Sequence, residues 1–251
     1  MTSFRFLHLD RVDSTNVYLQ EMPESERISC VVYASGQTAG RGMGSNSWES
    51  TPDLNLTFSM GVDMSFMKAS DQFLLSMGVP LGLVDVLDSI LGTGGPASPG
   101  RLMVKWPNDL VFDARKLCGI LISSTIRGAD MGVSVIGVGL NVNQMKFQDW
   151  PTHPVSMKMI LGHDVELEPL LHRLVEAVDR RVQQLRTEQG VAKVKRDYLE
   201  RLFRYHQWGD YETKKGIVKL YIDGIDEFGR LIALDESGFT QVFDIKELRF
   251  V

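Results

Sequence analysis

Four short apolar runs between residues 102 and 140 constrain the fold of this chain more than any other feature. They lie at 102–104, 110–112, 117–124 and 133–140, and each is rich in Val, Ile and Leu. The segments between them are short, and the Asp113-Ala114-Arg115 break is typical of a hairpin. Strands joined by short turns pair with each other, so the pattern predicts several neighbouring strands in one sheet.

Helical periodicity is present on both sides of these strands. Residues 70–91 carry apolar side chains at spacings of three and four and predict a core-facing helix, which Pro80 should kink or shorten. An apolar stripe at 167–185 and a further segment at 191–205 predict two more helices. Helices grouped away from hairpin strands indicate an α+β fold, in which a mixed, largely antiparallel sheet has helices packed on it, rather than a doubly wound parallel sheet.

The residue pattern of the chain changes near residue 207. From there to residue 251, short alternating segments are separated by glycines, which is typical of a small antiparallel barrel. We therefore predict a larger domain at 1–206 and a small C-terminal domain at 207–251. A domain of about 45 residues buries little core alone, so the smaller domain should dock on the larger one.

Charge and cysteine content argue against several classes of partner. The formal net charge is −5, whereas proteins that bind nucleic acid through phosphates usually carry a basic excess. Cys30 and Cys118 lie far apart in apolar runs, which suits buried thiols in a reducing compartment. The chain shows no signal-peptide run, no stretch near about 18 uninterrupted apolar residues and no metal-ligand spacing among its histidines. These features predict a cytoplasmic protein with no metal site and no nucleic-acid or membrane partner.

A glycine-rich stretch at 40–48 lies between two predicted strands. Its three glycines allow the backbone to approach a ligand closely. Arg41 offers five donors to a carboxylate or phosphate, and Trp48 offers a flat face to a ring. This composition suits a small anionic or nucleotide-like ligand, although the nine residues alone are equally compatible with a flexible connector.

Five motifs, in this order along the chain, resemble those of the biotin protein ligases. They are Asp13-Ser14-Thr15-Asn16, the stretch 40–48, Lys105-Trp106-Pro107-Asn108-Asp109, Lys116-Leu117-Cys118-Gly119-Ile120, and Gly137-Val138-Gly139-Leu140-Asn141-Val142-Asn143. The resemblance covers nearly the whole chain, and the combination is specific. It implies a biotin/lipoate ligase-like catalytic domain, related to the catalytic domains of class II aminoacyl-tRNA synthetases, followed by an SH3-like β-barrel.

The resemblance implies a two-step reaction that uses ATP, Mg²⁺ and biotin. The biotin carboxylate attacks the α-phosphate of ATP to give biotinyl-5′-AMP and pyrophosphate. A lysine of a biotin carboxyl carrier domain then attacks the mixed anhydride and releases AMP. Because the chain starts at the first catalytic strand, we expect a ligase without the DNA-binding domain that some relatives carry, and its oligomeric state stays open between monomer and homodimer.

Two other functions remain open from the sequence. A lipoate or octanoate–protein ligase looks similar in fold and also acylates a carrier lysine, but the 105–109 motif followed by the 116–120 motif favours biotin. A noncatalytic biotin-binding module would keep the pocket without turnover. The presence of both Lys116 and Asp109 argues against such a module.

The resemblance assigns catalytic roles to Lys116, Arg41 and Asp109. Lys116 would hold the carboxylate and an α-phosphate oxygen as a point charge, although an isolated lysine at a turn is ordinarily only solvated. Arg41 would contact the ligand and order the glycine-rich stretch. Asp109 would orient or deprotonate the incoming lysine, since an ammonium group is not a nucleophile.

The other site predictions fall into two sets. The residues predicted to bind biotin are Ser14, Thr15, Asn16, Gln37, Arg41, Gly42, Met43, Lys116 and Gly119. The residues predicted to bind the nucleotide are Gly40, Trp48, Lys105, Asn108, Gly137, Gly139 and Asn141. Ser14 and Thr15 also fit the simpler role of capping a helix, and Asn143 fits a simple turn.

Met43 marks a departure from the family pattern. Many members have a basic residue directly after the Gly-Arg-Gly triplet, or a further Arg and Gly within the loop, where this chain has Met43-Gly44-Ser45-Asn46. If that cation helps to retain the adenylate, this protein should release biotinyl-5′-AMP more readily than relatives that have it.

Overall fold

The computed structural model describes residues 2–44, 46–93, 100–148 and 153–251. In these residues a seven-stranded sheet carries helices, and a five-stranded sheet follows at the C-terminal end. The strands of the larger sheet are β1 Arg5–Val12, β2 Cys30–Gln37, β3 Leu56–Asp63, β4 Leu102–Lys105, β5 Asp109–Phe112, β6 Arg115–Arg127 and β7 Asp130–Leu140.

The larger sheet is mixed and largely antiparallel, as predicted. Its strand order is β1-β2-β3-β7-β6-β5-β4; β1 and β2 pair in parallel, and the other neighbours pair antiparallel. The predicted hairpin between β5 and β6 is confirmed. Asp113 and Ala114 have φ values of 48° and 66°, the left-handed conformation that a two-residue hairpin turn requires at both central positions.

Helices cover the sheet. They are α1 Thr15–Glu21, α2 Glu24–Arg27, α3 Phe73–Leu91, α4 Met157–Leu161, α5 Leu167–Gln184 and α6 Glu188–Arg201. Helix α3 is long and apolar enough to cross a membrane, but 67% of its most apolar window is buried inside the protein.

Pro80 lies inside α3 and does not end it, so a helix boundary at this proline is wrong. Tertiary packing overrides the local penalty, since α3 is buried along most of its length against α5. Gly82 permits the close approach of the two helices, because a Cβ atom there would lie 2.6 Å from the Cα atom of Val178.

Helix α6 begins and ends earlier than the predicted 191–205. Thr187 sets the start, because its hydroxyl accepts a hydrogen bond from the Gly190 amide at 3.1 Å. The helix ends where Leu202 forms a parallel bridge with Val104 and the Phe203 amide donates to the Val104 carbonyl at 2.8 Å. A long-range backbone contact therefore decides this boundary.

The five-stranded sheet is antiparallel throughout, in the order β11-β10-β9-β8-β12. Its strands are β8 Trp208–Thr213, β9 Gly216–Ile225, β10 Leu231–Asp235, β11 Thr240–Phe243 and β12 Leu248–Phe250. Tyr211, Leu220 and Ile222 from this sheet belong to the same buried cluster as the side chains beneath the larger sheet. The predicted docking of the two parts is thus confirmed, and so is the burial of the two free thiols, Cys30 and Cys118.

Candidate active site

A cavity of about 200 Å³ opens between the larger sheet, the start of α1, the glycine-rich stretch and the last strand, β12. We call it the main cavity. Every residue predicted to bind biotin or nucleotide lines it except Gly40 and Asn141. All five motifs therefore contribute residues to one place, the fifth through Gly137, Val138 and Gly139.

One end of the main cavity is polar but uncharged. The Thr15 amide donates to Gln37 Oε1 at 2.8 Å, and the Thr15 and Ser59 hydroxyls lie 2.9 Å apart. Asn16 Oδ1 accepts from Gln20, whereas Asn16 Nδ2 is buried and has no hydrogen-bond partner among the described residues. Ser14 occupies the N-cap position of α1, but its side chain makes no capping bond. Side-chain capping by Ser14 is therefore wrong, and this end presents polar groups to a ligand.

The glycine-rich stretch forms a narrow antiparallel loop. The Trp48 amide donates to the Gly40 carbonyl at 2.9 Å, the Gly42 amide donates to the Asn46 carbonyl at 2.8 Å, and Arg41 bridges to Ser47. A Cβ atom on Gly40 would lie 2.4 Å from the Trp48 carbonyl oxygen. Gly40 thus serves the close approach of two backbone segments, and it lies outside the main cavity.

Trp48 lies on a floor made by two paired glycines. Gly119 on β6 faces Gly139 on β7, and Cβ atoms there would lie 3.1 and 2.3 Å from the indole ring. Lys116 Nζ is 5.7 Å from the ring centroid, a cation–π distance. The space above Gly137 is likewise taken by Asn16, whose Nδ2 would be 2.8 Å from an added Cβ. Side chains of this protein therefore cover Gly137 and Gly139, two of the three glycines predicted to bind the nucleotide.

The other end of the main cavity is cationic. Arg41, Lys105, Lys116 and Arg249 line it, and Asp109 is the only carboxylate among the described lining residues. Lys116 Nζ and Asp109 Oδ1 form an ion pair at 2.8 Å, with both side chains about one-fifth exposed (23% and 18%). Attraction at this distance in a partly buried site holds the Lys116 ammonium in place.

Lys105 has an unusual environment. Burial lowers its pKa from the usual value, and Lys116 and Arg249 lower it further, while Asp109 acts in the opposite direction. Its ammonium lies 5.2 Å from the centroid of the Phe250 ring, and it forms no ion pair with any described side chain within 4 Å. A desolvated cation of this kind favours an incoming anion.

Two asparagines of the motifs support backbone geometry. Asn108 lines the main cavity, but its amide donates to the Ile120 carbonyl at 2.7 Å. Asn141 lies outside the cavity, where its side chain donates to the carbonyls of Lys116 and Val155 at 3.3 and 3.1 Å. Direct nucleotide contact by Asn141 does not fit this placement, and its geometry is that of a residue that steadies the Lys116 backbone. Asn143 does more than close a local turn, because its side chain donates to the Val165 carbonyl and accepts from the Val165 amide, both at 2.9 Å.

Sequence patterns missed the contribution of the C-terminal sheet. Leu248, Arg249 and Phe250 of β12 line the main cavity, and Arg249 forms an ion pair with Glu212 on β8. The only local signal is a basic residue between two apolar ones in the last strand. Nothing in that pattern points to a cavity formed by residues more than 100 positions away.

A second cavity of about 660 Å³ adjoins the first. The two share Gln37, Ser47 and Trp48, and the second is also lined by Gln144 and Phe147. Within the described residues no group of three or more His, Cys, Asp or Glu side chains is arranged to hold a metal ion.

The fold and site define an α+β domain whose main cavity has an uncharged polar end and a cationic end. The chain belongs to the biotin/lipoate A/B protein ligase family, whose model matches residues 8–141. A biotin–acetyl-CoA-carboxylase ligase from Paracoccus denitrificans is 32% identical over 250 residues, which is 96% of this chain and 99% of that protein. The bifunctional ligase/repressor BirA of Escherichia coli is 32% identical over 138 residues, covering 55% of this chain and 40% of that protein.

Solved structures share the fold. A biotin protein ligase from Aquifex aeolicus, in complex with biotin and ATP, superimposes with a TM-score of 0.78 at 22% identity and covers 98% of this chain and 99% of that one. A biotin protein ligase from Leishmania major, in complex with biotinyl-5-AMP, gives a TM-score of 0.63 at 19% identity and covers 97% and 99% of the two chains. The predicted biotin/lipoate ligase-like fold is confirmed.

Proposed function

We propose that this protein is a biotin–carboxyl carrier protein ligase that makes biotinyl-5′-AMP from biotin and ATP and transfers the biotinyl group to a carrier lysine. The observation that carries the proposal is the polarity of the main cavity, which has an uncharged hydrogen-bonding end and a cationic end centred on Lys116. The family and the whole-length relative in Paracoccus denitrificans support the same activity.

The uncharged end suits the ureido ring of biotin, which has one carbonyl acceptor and two N–H donors. The unpaired Asn16 amide can donate to the carbonyl, and the Thr15 and Ser59 hydroxyl oxygens can accept from the N–H groups. Phe58 and Val138 supply apolar walls. The dithiolane ring of lipoate carries neither kind of group and would leave the buried Asn16 amide unpaired, so the pocket favours biotin over lipoate.

The cationic end suits the first step, in which a carboxylate must approach a triphosphate. Lys116 would bridge the biotin carboxylate and the α-phosphate, and Arg41 would close over them from the glycine-rich loop. Lys105 and Arg249 lie within Coulombic range of each other and would hold the outer phosphates, which leave as pyrophosphate. The carboxylate oxygen forms a bond to phosphorus as the bond to pyrophosphate breaks.

Magnesium fits this site only as an ion carried by ATP. The described lining offers a single carboxylate, Asp109, which Lys116 already pairs, so the chain provides no all-protein cage. When bound to the phosphates, the ion would neutralise part of their charge. The protein's own cations supply the fixed part of that stabilisation.

The second step needs a neutral amine. Asp109 would take the proton from the incoming lysine ammonium once the adenylate phosphate engages Lys116 and releases the ion pair. The amine nitrogen then attacks the anhydride carbonyl, an amide forms, and AMP leaves. The acceptor would be a biotin carboxyl carrier domain that reaches the cavity past the exposed side chain of Arg41.

We also propose that residues 1–206 form the catalytic domain and 207–251 an SH3-like domain that completes its cavity. The five-stranded sheet that starts at Trp208 supports this division. The two free, buried cysteines support a reducing, cytoplasmic location.

Transfer of biotin to a purified biotin carboxyl carrier domain, with ATP and Mg²⁺, tests the function. Lys116→Ala should abolish adenylate formation, whereas Lys68→Ala should not, because Lys68 is 64% exposed and pairs with Asp130 outside the cavity lining. Lipoate replaces biotin in a parallel arm. Biotin-dependent pyrophosphate release without transfer would show the wrong acceptor, and turnover of lipoate but not biotin would refute the proposal.

A further inference from the structure

Trp106 joins the two sheets through one buried hydrogen bond. It lies at the hairpin tip between β4 and β5 and lines the main cavity together with the paired residues Lys105 and Asp109. The Trp106 side chain is 3% exposed, and its indole N–H donates to the Gly229 carbonyl at 2.9 Å. Gly229 lies 123 positions further along, in the turn between β9 and β10.

The Gly229 carbonyl is held firmly where Trp106 meets it. Asp226 organises the turn, because its Oδ1 accepts from the amides of Phe228 and Arg230 and its Oδ2 accepts from the Arg230 side chain. Gly229 has φ of +85°, and a Cβ atom there would lie 2.2 Å from the Phe73 ring. Only glycine fits between α3 and Trp106 in this conformation.

The opposite end of the same small sheet reaches the cationic part of the main cavity. Strand β12 pairs with β8 and carries Arg249 and Phe250 into the lining. Phe250 lies 5.2 Å from Lys105 Nζ, and the charge of Arg249 acts on Lys105. The placement of the small sheet therefore sets the spacing between Lys105 and Arg249.

The hairpin tip has a separate attachment to its own sheet. Asn108 donates to the Ile120 carbonyl at 2.7 Å, and the Ile120 amide donates to the Asn108 carbonyl at 2.9 Å. These bonds hold the tip to β6 without the indole. The Trp106–Gly229 hydrogen bond therefore affects mainly the position of the C-terminal sheet.

We propose that Trp106 is a positioning residue that fixes the C-terminal sheet so that Arg249 and Phe250 complete the triphosphate end of the cavity with Lys105. The inference deepens the proposed function and rests on it for the identity of the anion. The Trp106 indole N–H should therefore affect the binding of ATP but not that of biotin, whose uncharged pocket lies at the other end of the main cavity.

Trp106→Phe keeps a buried ring and removes the donor. The KM for ATP in adenylate formation should rise about tenfold, the effect of one lost buried hydrogen bond, while biotin affinity measured without ATP changes less than about twofold. Tyr198→Phe is the matched control, because the Tyr198 hydroxyl is buried and has no partner among the described residues. A loss of biotin affinity as large as that of ATP, or an unchanged KM for ATP, would overturn the inference.

A double-mutant comparison of Trp106 and Arg249 distinguishes a positioning role of Trp106 from a general effect on protein stability. Arg249→Gln should raise the KM for ATP in the unaltered protein and add little in Trp106→Phe, because the indole acts through Arg249. If the effects of the two substitutions on the KM for ATP were fully additive, Trp106 would not act through Arg249. If Trp106→Phe folds poorly, Phe250→Leu removes the ring beside Lys105 without touching the indole bond and should give the same ATP-selective effect.

Amide hydrogen exchange gives a readout that does not depend on activity. In Trp106→Phe, exchange should speed up at 226–230 and 248–250, and it should stay unchanged at Ile120. Absence of biotinyl-5′-AMP formation by the unaltered protein would refute the proposed function alone. Unchanged exchange at 226–230 would refute the role of Trp106 whatever the activity.

Discussion

Gly139→Ala should displace Trp48 and weaken adenylation with little effect on folding. The added Cβ would lie 2.3, 2.6 and 2.7 Å from three ring carbons, whereas carbon atoms pack at about 3.5–4.0 Å. Strand β7 cannot retreat, because it is buried and paired with both β3 and β6. The ring, which belongs to a surface loop, must therefore move by about 1 Å or more.

The expected loss in adenylation follows from the contacts that the Trp48 ring would lose. Trp48 would lose its contact with Lys116, worth about 0.5–2 kcal/mol, and part of its packing on the two glycines, for a total of about 1–3 kcal/mol. We expect kcat/KM for adenylation to fall about 5- to 150-fold. The thermal midpoint should change little, because the loop rather than the core absorbs the clash.

The assay is a double-mutant cycle on pyrophosphate release. Gly139→Ala should be costly in the unaltered protein and nearly neutral in Trp48→Ala, which already lacks the ring. Gly132→Ala on the same strand is the control, since its Cβ would meet no atom closer than 3.4 Å. An equal cost in the presence and absence of Trp48 would refute the reasoning and place the clash in the strand itself.

Three further predictions concern the two ends of the cavity. Lys105 has a lowered pKa; between that pKa and the usual 10.5 the unfolded chain binds more protons, so its contribution to stability rises with pH. ATP affinity should fall in the same window because the neutral amine no longer attracts phosphate, and equal pH profiles for wild type and Lys105→Arg would count against this. Thr15→Val removes the hydroxyl beside Ser59 and should weaken biotin binding about tenfold by calorimetry, whereas unchanged binding would remove Thr15 from the pocket. Met43→Arg should slow the dissociation of biotinyl-5′-AMP, and equal dissociation rates would contradict a role for a cation there.

Local sequence determined the elements and most of the site. Short apolar runs separated by turns predicted the strands between 102 and 140, and apolar spacings of three and four predicted the helices α3 and α5, because such spacing shows which face of a helix is buried. Lys116 and Asp109 were predicted together because each lies in a short motif, and strand pairing brings the motifs within 2.8 Å. Such contacts between neighbouring strands depend mainly on register.

The tertiary structure alone decided the features that depend on packing between distant segments. Gly139 lies directly beneath the Trp48 ring, and the Asn141 side chain donates to the Lys116 carbonyl. Trp106 reaches the small sheet through Gly229, 123 positions further along the chain, and Arg249 of the same sheet lines the main cavity. No local period encodes these contacts, because they arise only when two separately patterned sheets share one core.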